Sequence, residues 1–272
     1  MRILCLVKLV PDVDNLRYDS ERNVLVRDNA HMMINPEDAS ALAIALEVKG
    51  EFPDTQIETV SMAPKGAMPH LEDLVRRGVD RAVLITDPRY VGSDTWATSR
   101  ILAQYISMQS YDSTRSYNCI FCGTHTLDGG TAQVPAQTAE ILGMPHMASI
   151  VGLDAGSLAS GGAIVEVDGE EALLQFSVDM PAFLGFQYLP KHKLPYIRYE
   201  NISLDVTDRI CVLDNDELGL DASVIGLEGS LTKVRRVQAE SYGAKNTRFV
   251  NADADGVDVV FQFLKQKGFL RP

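Results

Sequence analysis

Cys119 and Cys122 enclose two apolar residues and run straight into a loop rich in Gly, Asp and Thr, Gly123 to Gly130. Two chemistries compete for that stretch. A CxxC pair can exchange disulfides or supply half of a metal site when both thiolates meet at a helix start. Here the pair lies inside an apolar strand-like run, Cys119-Ile120-Phe121-Cys122, where residues three apart face opposite ways. No second CxxC completes a metal set, so Cys5, Cys119, Cys122 and Cys211 are expected to be structural thiols. The other chemistry is anion binding. A helix-like segment from about Thr131 to Leu142, closed by Gly143 and Pro145, follows the loop. The start of such a helix offers free N–H groups and the positive end of its dipole. Gly129 and Gly130 let a phosphate or pyrophosphate reach that backbone. The alternative is a plain strand-to-helix connection with a glycine turn, and spacing alone leaves both open.

Other reactive constellations are absent. The chain has no G-x-S-x-G elbow and no G-x-x-x-x-G-K-[ST] loop. His31, His70, His125, His146 and His192 are scattered without an i,i+4 pair, and only His125 falls in the glycine loop. The acidic run Asp205, Asp208, Asp214, Asp216, Glu217 and Asp221 lacks the regular spacing of a calcium loop. No catalytic side-chain set and no metal site is therefore expected. Any reaction would be carried by a bound cofactor.

The elements around the loop fix its setting. Ile3 to Val7, Gln56 to Met62 and Ala82 to Thr86 are apolar runs that predict buried strands. Helices are predicted from Asn35-Pro36 to Lys49 with Gly50 as its stop, from Pro69 to Arg77, and from Asp94 to Gln109 with Ser93 or Asp94 as cap. Strand and helix alternate at least four times through short connections, which predicts a mostly parallel, doubly wound α/β sheet. Residues 15–33 predict a hairpin or extended excursion. A C-terminal β-hairpin is predicted at 163–178, around Asp168-Gly169. Residues 191–228 carry few helical signals, and a last helix is expected at 255–267. The expected organisation is an α/β domain over 1–190 and an extended partner-binding arm with a terminal helix over 191–272.

The chain has 272 residues, 46% of them hydrophobic, and a formal net charge of −12. That is core enough for a large domain and argues against a nucleic-acid partner. No apolar run approaches a bilayer span, and the first strand runs into Lys8 and Pro11-Asp12 without a cleavage signal, so a cytoplasmic protein is expected. Open α/β sheets bind ligands where strands end. Those ends here are Lys8 to Asp12, the approach to Asn35-Pro36, Ser61 to Pro64, Asp87 to Ser99, and Gly123 to Gln133. Five loops converging on one edge favour a nucleotide over a small anion.

These residues resemble the β subunit of electron transfer flavoprotein along nearly the whole chain. The matching segments are ILCLVKLVPD (3–12), INPEDASALAIAL (34–46), VSMAP (60–64), GVDRAVLITD (78–87), SDTWATSRILAQ (93–104), CGTHTLDGGTAQVPAQTAEILGMP (122–145) and GLEGSLTKV (226–234). The resemblance implies a Rossmann-like fold of the adenine nucleotide α-hydrolase type, and an αβ heterodimer with an FAD in the α subunit. It implies a β-subunit nucleotide that is AMP in simple carriers and FAD in electron-bifurcating members. The DTWATS (94–99) and DGGTAQ (128–133) segments look more like the bifurcating branch. There NADH would be the donor, with ferredoxin as one acceptor. The other would be a flavin-dependent dehydrogenase, of the acyl-CoA or 2-hydroxy-acid type. Carried over by position, the nucleotide contacts are Leu6, Asn35, Asp38, Met62, Asp94, Thr95, Ser99, His125, Asp128, Gly129, Gly130, Thr131, Gln133, Val134 and Thr138. Two features depart from the family pattern: Thr124-His125 stands where bifurcating relatives often carry Arg-Gln, and 189–208 has fewer cations than the family's dehydrogenase-docking segment. A nucleotide-binding regulatory module of universal-stress-protein type shares this kind of sheet, but predicts a chain ending near residue 150.

Overall fold

The computed structural model describes residues 1–12, 17–19, 24–26, 32–110, 116–169, 171–233 and 248–270. The chain divides into two compact units, Met1–Lys233 and Val234–Pro272.

The first unit is organised on a nine-stranded sheet. Its strands in chain order are β1 (Arg2–Leu6), β6 (Gln56–Met62), β7 (Arg81–Ile85), β8 (Cys119–Gly123), β9 (His146–Asp154), β10 (Gly162–Asp168), β11 (Leu173–Asp179), β12 (Ala182–Phe186) and β13 (Ile210–Leu213). Two small antiparallel pairs lie outside it, β2 (Leu9–Pro11) with β5 (Met32–Ile34), and β3 (Arg17–Asp19) with β4 (Val24–Val26). The sheet order is β11-β10-β9-β12-β8-β1-β6-β7-β13. Every pair from β9 through β13 along that order is parallel. The pairs β9–β10 and β10–β11 are antiparallel, and the second is the hairpin expected at 163–178.

The strands are apolar without alternation because both faces are covered. Ile3, Cys5, Cys119, Phe121 and Leu184 enter one core, with α1 (Pro36–Glu51) and α2 (Met68–Arg76). Leu4, Leu6, Ile120, Cys122 and Phe183 enter the other, with α3 (Thr95–Ser110) and α4 (Gln133–Leu142). Successive residues thus serve opposite helical layers. The chain steps outward from β1 through α1 to β6 and α2 to β7. It then crosses back through α3 to β8 on the other side of β1. The direction of winding reverses between β1 and β8, and a crevice opens at their carboxyl ends.

Some elements differ from the sequence reading. α1 runs one residue past Gly50, to Glu51, with Phe52 as its cap. β13 rises from the segment read as irregular; its four residues are too short a run to show among acidic neighbours. β12 is a central parallel strand slotted between β8 and β9, so the connection from β11 returns into the sheet. Short helices α5 (Ala155–Ala159), α6 (Asn215–Leu218) and α7 (Gly226–Gly229) complete this unit.

Within the second unit α8 (Ala254–Gln266) is capped by Asp253, whose Oδ1 accepts the Gly256 N–H at 2.8 Å. Val257, Val260, Phe261 and Phe263 on this helix are exposed. No helix among the described residues is long and apolar enough to cross a membrane.

Candidate functional site

The floor of the crevice is built by the start of α1. Asn35 holds the N-cap position, the role its residue type predicts, yet its side chain does not cap the helix. Instead Nδ2 donates to the His125 carbonyl oxygen (2.8 Å) and Oδ1 accepts the Leu127 N–H (3.2 Å). The Asn35 N–H bonds the Lys8 carbonyl oxygen at 2.9 Å. One buried amide thereby ties the loop after β8 to the end of β1.

Asp38 ties the strands themselves. Its Oδ2 accepts the Lys8 N–H and its Oδ1 the Gly123 N–H, both at 2.8 Å. The residue is 5% exposed. Burial pushes its pKa up to about 7; the N–H donors of Lys8 and Gly123 and the Asn35 side chain oppose the rise, and Glu37 adds to it. The approach is close enough to demand glycine. A Cβ on Gly123 would stand 2.6 Å from both Asp38 Oδ1 and Glu37 Cβ.

Glu37 accepts the His125 N–H, and the exposed His125 ring places Nδ1 3.7 Å from Glu37 Oε1. Thr124 is buried and its hydroxyl accepts the Ser149 N–H at 3.0 Å. Ser149 sits in the left-handed region, φ 60°, where β9 bulges against β12. Thr124 and His125 thus have separate duties. Thr124 clamps a bulge, and only His125 faces solvent.

Four helices, α1 to α4, begin at this edge, and no side chain caps α1 or α2, the latter carrying Pro69 in its first turn. The first turn of α1 carries Glu37 and Asp38, both engaged as above. At α3, Asp94 Oδ1 accepts the Ala97 N–H (3.0 Å) as a capping side chain. Its Oδ2 accepts the Thr232 N–H (2.8 Å) and hydroxyl (2.9 Å). The Asp94 N–H bonds Ser230 Oγ at 2.8 Å. Burial works against ionising Asp94, but these donors outweigh it and hold the carboxyl below the usual range. The segment around α7 therefore folds back over the start of α3. Gly226 makes that possible: φ is 59°, and a Cβ there would lie 2.1 Å from the Arg89 carbonyl oxygen.

The start of α4 is uncapped as well, and its first turn carries no acidic residue. Ala132 occupies its N-cap in the left-handed region, φ 54°, and no side chain caps it. Gly129, Gly130, Thr131 and Gln133 are exposed. Gly130, φ 60°, donates its N–H to the Thr126 carbonyl oxygen (2.9 Å), closing a tight turn just before the helix. A Cβ on Gly130 would meet only that oxygen, 3.8 Å away, so the space above the turn is free. Asp128 accepts the Gly129 N–H (2.7 Å) and pairs with Lys8 Nζ (2.8 Å). Burial opposes its ionisation, but Lys8, Thr126 and the Gly129 N–H overcome that and hold the carboxyl below its ordinary range. An unsatisfied helix start behind an open glycine turn suits phosphate oxygens.

The remaining residues read from the sequence fall around this opening. Leu6 ends β1 in the core under α3 and α4, and Met62 ends β6 partly buried against it. Thr95 Oγ1 donates to Gln133 Oε1 (2.8 Å), linking the starts of α3 and α4. Ser99 and Thr138 are wholly buried at the α3–α4 contact. The Ser99 hydroxyl donates to the Thr95 carbonyl oxygen (2.7 Å), and Thr138 donates to that of Val134 (2.7 Å). Both bonds lie within their own helix, and Ser99 Oγ also reaches Gln137 Oε1 of α4 at 3.1 Å. Sequence reasoning did not single out Lys8, Glu37, Ser230 or Thr232. The GLEGSLTKV string marked the last two, but spacing cannot show that it returns to Asp94. The CxxC cysteines lie in opposite cores, and burial raises both thiols far above their usual range. Among the described residues no group of three His, Cys, Asp or Glu side chains could hold a metal ion.

Fold and site together define a doubly wound α/β protein with an uncapped helix start behind a glycine turn at its switch point. The electron transfer flavoprotein domain matches residues 22–184, and the chain belongs to that family. It is 30% identical to the caffeyl-CoA reductase–Etf complex subunit CarD of Acetobacterium woodii over 239 residues, covering 87% of each chain. It is 32% identical to the electron transfer flavoprotein subunit beta of Clostridium acetobutylicum over 244 residues, again 87% of each. An acryloyl-CoA reductase electron transfer subunit gamma of Anaerotignum propionicum is 30% identical over 272 residues, 98% of this chain and 99% of that one. The chain is thus an electron-transfer subunit of the β type.

Proposed function

We propose that this subunit holds an FAD in the crevice between β1 and β8 and works in the cytoplasm beside an α subunit carrying a second FAD. Electrons from NADH would divide there, one reaching a low-potential acceptor such as ferredoxin and the other a partner dehydrogenase through the α-subunit flavin. The observation that carries the reading is the start of α4, which no side chain caps and whose first turn carries no acidic residue. α4 offers its first-turn N–H groups behind Gly129 and Gly130, whereas the first turn of α1 carries the acidic Glu37 and Asp38 and the start of α3 is capped by Asp94.

Bound FAD supplies two-electron uptake and one-electron release, chemistry that no side chain here offers. The chain's own residues bind and orient it. The backbone of Asp128 to Val134 holds the pyrophosphate, with Thr95 and Gln133 beside it. The strand ends at Leu6 and Met62 flank the adenine, and Asn35 and Asp38 keep the floor rigid. Ser99 and Thr138 act from the buried α3–α4 contact. The names of two relatives, a caffeyl-CoA reductase–Etf complex subunit and an acryloyl-CoA reductase subunit, support a reductase as the partner. The exposed apolar face of α8, with Val257, Val260, Phe261 and Phe263, is a surface offered to the α subunit.

The test is extraction of the purified αβ complex, with flavin and adenine nucleotide quantified per heterodimer. Two FAD, bleached by NADH when ferredoxin is present, is the expected result. One FAD and one AMP would make this subunit a simple carrier with a structural nucleotide. A complex without either in this subunit sinks the reading.

A further inference from the structure

The loops around the crevice are poor in positive charge. Across their described residues the Lys and Arg side chains are Lys8, Lys65 and Arg89, and Lys65 lies beyond Pro64 in the turn before α2. Arg89 is spent, bonding Asp87 and Asp216 through its guanidinium. Lys8 stands at the switch point itself, and its backbone is pinned on both sides. Its N–H bonds Asp38 and its carbonyl accepts the Asn35 N–H. Its Nζ crosses to the glycine turn and lies 2.8 Å from both carboxylate oxygens of Asp128. That carboxylate is in turn fastened to the turn by the Gly129 N–H. A phosphate entering at the start of α4 therefore meets an ionised carboxylate with a lysine ammonium beside it. Without the ammonium, like charges would oppose the ligand at short range.

We propose that Lys8 is a phosphate-binding residue of this site, and that Asp128 holds its ammonium where a nucleotide phosphate is to be met. The inference rests on the nucleotide reading above. On binding, the ammonium shares its donors between the carboxylate and a phosphate oxygen, which an ammonium with three donors can do. The ligand class is a phosphorylated adenine nucleotide; adenosine, lacking phosphate, gains nothing from Lys8.

The experiment titrates AMP and then adenosine into the full-length chain freed of bound nucleotide. Lys8→Gln is expected to weaken AMP about five- to tenfold while leaving adenosine within about twofold. Lys8→Arg is expected to restore most of the AMP affinity, since it keeps the charge. The salt dependence of AMP binding should be shallower in Lys8→Gln than in the wild type. Equal losses for AMP and adenosine would mean that Lys8 only shapes the loop, and would overturn the inference. So would unchanged AMP affinity in Lys8→Gln beside a wild type that binds AMP. A wild type that binds neither AMP nor FAD overturns the nucleotide reading, and this inference with it.

Discussion

Gly123→Ala should be the most informative single change at this site. The added methyl would sit 2.6 Å from Asp38 Oδ1 and from Glu37 Cβ, and 3.0 Å from the Asp38 nitrogen. None of these is the loose end of a flexible chain. The α1 start must retreat, and the Gly123 N–H loses its 2.8 Å bond to the buried carboxylate. Overpacking a tight contact costs about 1–3 kcal/mol, and a hydrogen bond to a charged group about 1.5–3 kcal/mol. The loss is therefore about 3–5 kcal/mol, or roughly 10 °C in Tm for a unit of this size. Asn35 moves with the helix, so the His125–Leu127 segment loses its anchor and AMP affinity should fall too. Differential scanning calorimetry on the full-length chain reads the first effect, and titration the second. Gly130→Ala is the control. It forces a left-handed alanine, at about 1 kcal/mol, but meets open space. Should Gly123→Ala melt within about 2 °C of the wild type, or match Gly130→Ala, the close approach of α1 to β8 would not be the constraint described.

Further changes probe the rest of the site. Gly130→Val should lower cofactor occupancy several-fold while the chain stays folded, because a branched side chain crowds the open turn; unchanged flavin and AMP content on extraction would refute that. Asp38 has its pKa raised from 3.8 to about 7, so the folded chain holds a proton that the unfolded chain releases between those values. Its contribution is greatest below pH 4 and declines as pH climbs toward 7, by at most about 4 kcal/mol. Tm measured from pH 4 to 7 should fall less steeply in Asp38→Asn, and parallel curves would contradict the assignment. Asp94→Ala removes the cap of α3 and both bonds to Thr232, so limited proteolysis within 226–233 should accelerate with a stability loss of about 1–2 kcal/mol. Of the four thiols, only the half-buried Cys211 should react with a thiol reagent in the native chain, and all four after denaturation. Rapid native labelling of Cys119 or Cys122 would reopen the redox reading.

Much of this molecule could be read before it was seen folded, because its signals are local. Two buried faces require continuous apolar strands, so Ile3 to Val7 and Cys119 to Cys122 declare a sheet with helices on both sides. Period-two alternation alone separates the CxxC thiols into different cores. Gly143 ends α4 in the left-handed region, φ 64°, as a stop residue should. The glycine loop announced the tight turn before α4 through residue type. What local pattern could not convey was how each helix start is used. Asn35 and Asp94 are equally good caps on paper. One turns away to hold a loop ninety residues on, and the other is closed by Thr232 from across the chain. Ser99 and Thr138 read as ligand hydroxyls, and the fold buries both, since only packing tells whether a hydroxyl faces a crevice or a neighbouring helix. β13 and the Lys8–Asp128 pair belong to the same class. Each depends on contacts over a hundred residues apart in sequence, and the free energy of such contacts exists only once the sheet has brought their partners to one edge.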